Sequence, residues 1–148
     1  MAETFHSKYF AILNRILTDL KAITGVTKVF LGAKTRTLAQ ADFPAVFLIP
    51  ALVNLPDITI RGGIYASANF NMIIVKRYQK MELEETDFDD FVTVCDSVLD
   101  KFKEDRTLGG NAKILKFVSF EPDIQEGPGY FDLFSRLIIS AEFFWQGG

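Results

Sequence analysis

The chain has 148 residues, of which 49% are hydrophobic and 14% aromatic, and its formal net charge is −3. A single domain is expected at this length, and a chain of this size buries about 70% of its unfolded surface, enough for a substantial core. The acidic balance argues against a dedicated nucleic-acid-binding protein. We find no pattern of a signal peptide, and no apolar run approaches the roughly 18 residues of a membrane helix.

Charge is divided unevenly along the chain. Residues 1–80 hold 10 Lys and Arg against 4 Asp and Glu, whereas residues 81–148 hold 6 against 15. A bipolar chain can bind a copy of itself head to tail, and repeated heterologous contacts of this kind can close a ring. The alternative is that the two halves interleave in the fold, so that the asymmetry disappears in space.

The first 31 residues predict a helix and a strand. Apolar residues recur at helical spacing over residues 4–23, with Thr4 or Ser7 as the N-cap. Gly25 follows the last turn, where glycine commonly ends a helix. The β-branched stretch Val26–Leu31 then predicts a strand.

A loop, a short strand and an arm are expected next. The loop Gly32–Phe43 is polar, small and basic, and Pro44–Pro50 is an apolar strand that its two prolines delimit, since proline cannot donate to a ladder. Residues Ala51–Gly63 are apolar but interrupted by Pro56 and a Gly-Gly pair. We predict a protruding loop or hairpin arm, because exposed apolar loops are often partner sites. The alternative is that this segment folds back over the sheet.

A strand and a second helix follow the arm. Residues Ile64–Lys76 alternate between apolar and small polar side chains, which predicts a strand with one core face. Residues Glu82–Lys103 have an apolar stripe that includes Phe88 and Val92, and Thr86 is the expected N-cap. The second helix is therefore expected to pack through this stripe.

The C-terminal third predicts a β-hairpin. Its strands are Ala112–Pro122 and Gly129–Gln146, joined by the turn Asp123–Gly129. The element order α-β-β-(arm)-β-α-β-β predicts one α+β domain over residues 1–148, with a mostly antiparallel or mixed sheet and two helices packed on one face.

The last strand has one apolar parity and one mixed parity. Phe134, Ile138 and Phe144 interrupt the polar face, so we expect a part of the same chain or a neighbouring subunit to cover them. At about 3.3 Å per residue the strand would span over 50 Å, more than the width of the domain. It is therefore expected to bend at a bulge near Ser135-Arg136, or to reach a partner.

No residue pattern predicts an active site. His6 is the only histidine, Cys95 lies on the apolar stripe of a helix, and a single cysteine favours a reducing compartment. The carboxylates of Glu82–Asp90 lack the ligand spacing and central glycine of a calcium loop, so a solvated helix start is expected. The glycine pairs are not followed by the Lys-Ser/Thr of a phosphate loop. We expect no catalytic residue, no cofactor and no bound metal.

The layout of the whole chain resembles the tail terminator (tail completion) proteins of tailed bacteriophages and related contractile particles. The similarity lies in an N-terminal helix, the strand PAVFLIP, an arm, an amphipathic helix, the turn Asp105–Gly110 (DRTLGG), a strand, an acidic turn and a long aromatic strand. It is a likeness of layout, and the RTLGG turn followed by a strand is its most local feature.

The resemblance implies a structural virion protein that forms a ring, commonly a hexamer, assembled in the host cytoplasm and located at the head-proximal end of the tail. Such a ring caps the tail tube, ends its polymerisation and offers a surface for joining the head. Its partners would be other copies of itself, the tail tube protein, the sheath protein and a head-side neck protein, with DNA passing through the lumen without specific binding. No membrane partner is implied.

The arm, the basic loop and the mixed face of the last strand are the candidate contact regions for the tube, the sheath or neighbouring subunits. The candidate contact residues are Lys34, Arg36, Leu52, Val53, Leu55, Ile58, Ile60, Arg61, Phe134, Ile138 and Phe144. Two alternatives remain open: another neck protein, such as a head completion or connector protein, and a small α+β ligand-binding domain or enzyme subunit with a pocket beneath the sheet.

Overall fold

The computed structural model describes residues 4–32, 38–55, 59–60 and 63–145, and its architecture is the predicted α+β fold in the predicted element order. A one-turn 3-10 helix, Gln40–Asp42, precedes the second strand. In chain order the helices and strands are α1 (Phe5–Lys21), β1 (Lys28–Leu31), β2 (Ala45–Asn54), β3 (Thr59–Ile60), β4 (Gly63–Tyr78), α2 (Glu85–Glu104), β5 (Ile114–Gly127) and β6 (Tyr130–Trp145).

The strands form one mixed sheet in the order β1-β2-β4-β6-β5, and β3 pairs with the start of β4. The pair β1–β2 is parallel, and the other neighbours are antiparallel. At the centre, β4 and β6 pair without a register shift from Ile64–Trp145 to Tyr78–Phe131. The expected bulge near Ser135 is absent from this pairing, because β4 is as long as β6 and supports it throughout. A shift occurs instead in β5, between Phe117 and Ser119.

Both helices pack on one face of the sheet, as predicted. The sheet contributes the even-numbered residues of β4 and the odd-numbered residues of β6, since alternate residues of a strand share a face. The largest fully buried side chains are Phe70, Phe102, Phe143, Ile12, Ile16, Leu20, Leu48, Met72, Ile74, Leu108, Leu115 and Leu133. Burial of these side chains is the main stabilising contribution to the fold, at about 1.5–3 kcal/mol each before the entropy of ordering is subtracted.

The helix starts follow from side-chain caps. Thr4 caps α1, and its Oγ1 accepts a hydrogen bond of 3.0 Å from the backbone N–H of Ser7. The prediction that Thr86 caps the second helix was wrong, because α2 begins at Glu85 with Glu84 as its N-cap. There the backbone N–H of Glu84 donates to Asp87 Oδ2 at 2.9 Å. The carboxylate at the third helical position, Asp87, therefore satisfies the backbone N–H of Glu84.

Two strands continue past the prolines that were predicted to end them. Pro50 lies inside β2, next to a register shift between Pro50 and Val53 against β4. Pro122 lies inside β5, an edge strand, where a missing N–H need not face a neighbouring strand. The predicted seven-residue turn is consequently a two-residue connection, in which Gly129 has a φ of +76°. Such a positive φ is easily adopted by glycine.

Candidate interaction surfaces

The arm and the basic loop fall partly outside the described residues, which exclude Lys34, Arg36, Ile58 and Arg61. Ile60 lies in the short strand β3. The first four residues of the predicted arm were wrongly assigned, because Ala51–Asn54 belong to β2 and its end pairs with β4. Leu52, within β2, and Leu55, just after it, have 70% and 51% of their surface exposed. Val53, by contrast, is half-buried against the hydrophobic core.

The three apolar residues predicted on the mixed face of the last strand lie on the side of the sheet away from the helices. Phe134, Ile138 and Phe144 are all half-buried. Their own chain provides part of the cover, since Phe134 lines a cavity and the ring of Phe144 lies directly over Gly63. Whether a neighbouring subunit also contacts them stays a prediction.

A cavity of about 520 Å³ lies on this helix-free face. Arg77 is its main charged group, and its guanidinium donates to Asp132 Oδ1 at 2.8 Å and to Oδ2 at 2.9 Å. The guanidinium carbon also lies 5.0 Å from the ring centre of Phe43 and 3.9 Å from that of Tyr130. The hydrogen bonds to Asp132 raise the pKa of Arg77.

Sequence reasoning missed this cluster, because its members are up to 89 positions apart and carry no recognisable motif. The cavity is lined by Leu38, Phe43, Phe47, Ile73, Val75, Arg77, Gln125, Tyr130, Asp132 and Phe134.

A second, more apolar groove of about 430 Å³ lies on the helix side, between the start of α2 and the outer half of β5. Its rim is formed by Phe88, Val92, Phe120 and Ile124, which we call the α2/β5 corner, and these side chains are 40–58% exposed. The prediction that Phe88 and Val92 belong to the core stripe of the second helix was wrong. Both side chains lie toward the edge of the sheet. Since β5 is the edge strand there, no further strand of the described residues covers them.

Exposed carboxylates lie near the α2/β5 corner. Glu85 and Asp89 lie on the first turns of α2. Glu121 and Asp123 lie on the edge strand β5, where they alternate with Phe120 and Ile124 and pair with Arg136 and Phe134 of the helix-free face. None of the four forms an ion pair within the part of the chain that the structure describes. An apolar centre with a charged rim is the usual composition of a protein–protein interface.

Within the sheet, the strands of the two charge-opposed halves do not interleave, although α1 also packs against β6 and α2 against β4. The sheet order places β1, β2 and β4, all from the basic half, on one side and β6 and β5, from the acidic half, on the other. Ion pairs between the halves form where they meet, and the described ones are Arg15–Asp105, Lys76–Asp90, Arg77–Asp132 and Lys80–Asp87. The outer edges of the sheet therefore keep opposite charges.

Three features that could carry chemistry, namely Cys95, His6 and the acidic cluster at the start of α2, each contact neighbouring side chains. Cys95 is buried, its Sγ lies 3.4 Å from Ser135 Oγ, and burial raises the pKa of its thiol. His6 is exposed and stacks on Phe10 with ring centres 4.5 Å apart. In the acidic cluster, Lys80 binds Asp87 at 2.9 Å, and this hydrogen bond lowers the pKa of that carboxyl. Among the described residues, no group of three or more His, Cys, Asp or Glu side chains is placed to hold a metal ion.

The turn Asp105–Gly110 is held by its own side chains. Arg106 donates from Nε and Nη2 to the carbonyl oxygen of Leu115, at 2.9 and 2.7 Å, so the turn is fixed to the start of β5. Asp105 accepts from the backbone N–H of Gly109 at 2.8 Å. Leu108 is fully buried and has a φ of +51°, which is uncommon for a residue with a side chain. The RTLGG segment is therefore an ordered connection.

Within the described residues, no helix is long and apolar enough to cross a lipid bilayer. No protein-family model matches the chain, and a search of curated proteins finds no match.

Proposed function

We propose that the chain is a structural protein of a phage-type tail, whose copies form a closed ring, six in number by the resemblance, on the last disc of the tail tube. The ring ends polymerisation of the tube and provides the surface to which the head is joined. This role involves no catalysis and depends on the surfaces that contact other subunits.

The exposed α2/β5 corner is the observation on which the proposal chiefly rests. Four large apolar side chains are 40–58% exposed beside a groove, at the free edge of a sheet. Exposed apolar surface of this kind ordinarily marks a site of association, and free sheet edges invite pairing. A subunit that is built to assemble accounts for both features.

The arm supplies a second surface, suited to the tube. Leu52 and Leu55 are among the exposed large apolar residues, and they lie on β2 and just after it, at the opposite side of the sheet from β5. The two surfaces are therefore separate. One can join neighbouring subunits while the other contacts a different protein.

The test is the mass of the purified protein in solution, measured with and without assembled tail tubes. We expect a ring, either free or formed only on the tubes, and tubes that stop growing when the protein is added. A Leu52→Ser, Leu55→Ser variant should still form the ring but bind tubes less well. A Phe10→Ser control should form the ring and bind tubes as the unaltered chain does. A monomer that ignores tubes would contradict the proposal.

The cavity around Arg77 favours a second candidate, a small α+β domain that binds a ligand. Its volume of about 520 Å³ is in the range of small-molecule sites, roughly 300–1,000 Å³. The strongest polar groups there, Arg77 and Asp132, are directed at each other, so they already have partners without a ligand. A monomer with no affinity for tubes would move the search to this cavity. A ring that binds head-side proteins but not tubes would indicate the alternative neck protein.

A further inference from the structure

We propose that the α2/β5 corner of one copy docks on the β1 edge of a second copy. This inference rests on the proposed ring and identifies its seam. It places the contact at the two outer edges of the sheet, and not on the face of β6 that carries Phe134 and Ile138.

Both edges are available for a partner. Within the described part of the chain, β1 pairs only with β2, and β5 pairs only with β6. Each edge strand therefore leaves one side of its backbone without a strand neighbour. Natural proteins usually cover, charge or shorten such edges. β1 is short at 4 residues, but β5 has 14 residues and exposed Phe120 and Ile124 beside it.

The β5 edge presents negative charge. Glu121 and Asp123 are exposed on β5, and Glu85 and Asp89 are exposed on the neighbouring turns of α2. The basic groups at the opposite end of β5 are already engaged by other groups. Lys116 Nζ lies 2.8 Å from Glu142 Oε1, and Lys113 lies over the ring of Tyr65, 5.4 Å from its centre. Glu121 is the cross-strand neighbour of Arg136 on β6 but forms no ion pair with it, and the other three carboxylates form no ion pair among the described residues either.

The β1 edge presents positive charge. Lys28 begins β1 and Lys21 ends α1, which packs against β1, and both lysines are exposed. Neither lysine has an ion-pair partner within the described residues. Leu31, 54% exposed, provides an apolar contact at the end of the strand.

The charges select a head-to-tail contact over a two-fold one. A two-fold dimer through β5 would bring the carboxylates of two copies together, and one through β1 would bring the lysines together. Juxtaposed like charges oppose binding. A β5-to-β1 contact pairs opposite charges and leaves one free edge of each kind on every dimer. Repetition of this contact gives a ring if the rotation closes.

Charge reversal in the full chain tests the seam. One variant carries Glu121→Lys and Asp123→Lys, a second carries Lys21→Glu and Lys28→Glu, and a control carries Asp96→Lys and Asp100→Lys on the outer side of α2. Self-association is measured by sedimentation at low ionic strength, and folding by circular dichroism. We expect each of the first two variants alone to associate about tenfold less tightly or worse, while the control associates as the unaltered chain does.

Mixing the first two variants provides the decisive step, because each supplies the edge that the other has inverted. An equimolar mixture should regain association, in assemblies that contain both chains. A mixture that stays dissociated, a chain that is monomeric at every concentration, or an assembly unaffected by either reversal would each overturn the seam. An assembly that neither reversal affects would still be compatible with the proposed ring. Conversely, assembly that follows the charges without any binding to tail tubes would retain the seam and contradict the proposed function.

Discussion

Arg77 on β4 and Asp132 on β6 are direct partners in the sheet, and their side chains join through two hydrogen bonds of 2.8 and 2.9 Å. The pair lies at the boundary between the basic and the acidic halves of the chain. Its two-point geometry is the favoured one for arginine and carboxylate, and the flanking rings of Phe43 and Tyr130 limit access of water. It therefore links the two halves where their charges meet.

Replacing Asp132 with Asn should destabilise the protein, because Arg77 would keep its charge in a largely covered position with a weaker partner. The expected loss in the free energy of unfolding is about 1–3 kcal/mol. Urea denaturation of the variant checks this, with Asp96→Asn on the exposed side of α2 as the control. An Asp132→Asn protein that unfolds at the same urea concentration as the unaltered chain would show that the pair contributes no net stability.

Stability should fall in acid. The pKa of Asp90 is lowered by hydrogen bonds from Lys76 and Tyr78, and that of Glu142 by hydrogen bonds from Lys116 and Tyr65. A carboxyl with a lowered pKa in the folded state contributes stability above its unfolded value, 3.8 for Asp and 4.5 for Glu. That contribution is lost as the pH falls through the folded value, when protons bind more readily to the unfolded chain.

The acid dependence can be assigned to Asp90 by substitution. The free energy of unfolding would be measured at neutral pH and at about pH 3 for Asp90→Asn and for Asp89→Asn. The Asp90→Asn variant should be less stable at neutral pH and lose less stability on acidification, since its side chain no longer titrates. Equal acid losses for Asp90→Asn and the unaltered chain would show that this carboxyl is not responsible.

Cys95 should resist thiol reagents while the protein is folded. Its side chain is buried and burial raises its pKa, and the thiolate is the reactive form. Labelling with a chromogenic disulfide should be about a hundredfold slower or more in the native state than in denaturant, because the thiol must wait for local opening. An Asp96→Cys variant in a Cys95→Ala background supplies an exposed thiol for comparison. Equally fast labelling at both positions would contradict the burial of Cys95.

Substitution of Ile124 should weaken self-association and have little effect on the stability of the fold. It is 47% exposed in the α2/β5 corner, and Phe10 on α1 is similarly exposed at 43%. Ile124→Ser is expected to weaken self-association while changing the free energy of unfolding by no more than about 0.5 kcal/mol. Phe10→Ser should leave association unchanged, as measured by sedimentation. If both variants weaken association alike, the effect belongs to general surface hydrophobicity and not to the corner.

Local patterns predicted most elements of this fold, and failed where the position of a strand in the sheet decided the outcome. Thr4 was an expected cap and is one, since capping depends on residues three positions apart. Pro122 was expected to end a strand but lies within β5, because in an edge strand a missing N–H need not face a neighbouring strand. Phe88 and Val92 fit the apolar stripe of α2 by spacing. They are exposed because, in the part of the chain that the structure describes, no strand lies beyond β5 to receive them.

The sequence by itself determined the helices, most of the strands, their core faces and the unequal charge of the two halves, because each depends on residues near one another in the chain. The tertiary structure decided what those properties mean in space. Strand order places the basic half at one edge of the sheet and the acidic half at the other, and brings Arg77 to Asp132 across 55 positions. Such order arises from packing of distant segments into one core, which no local period encodes.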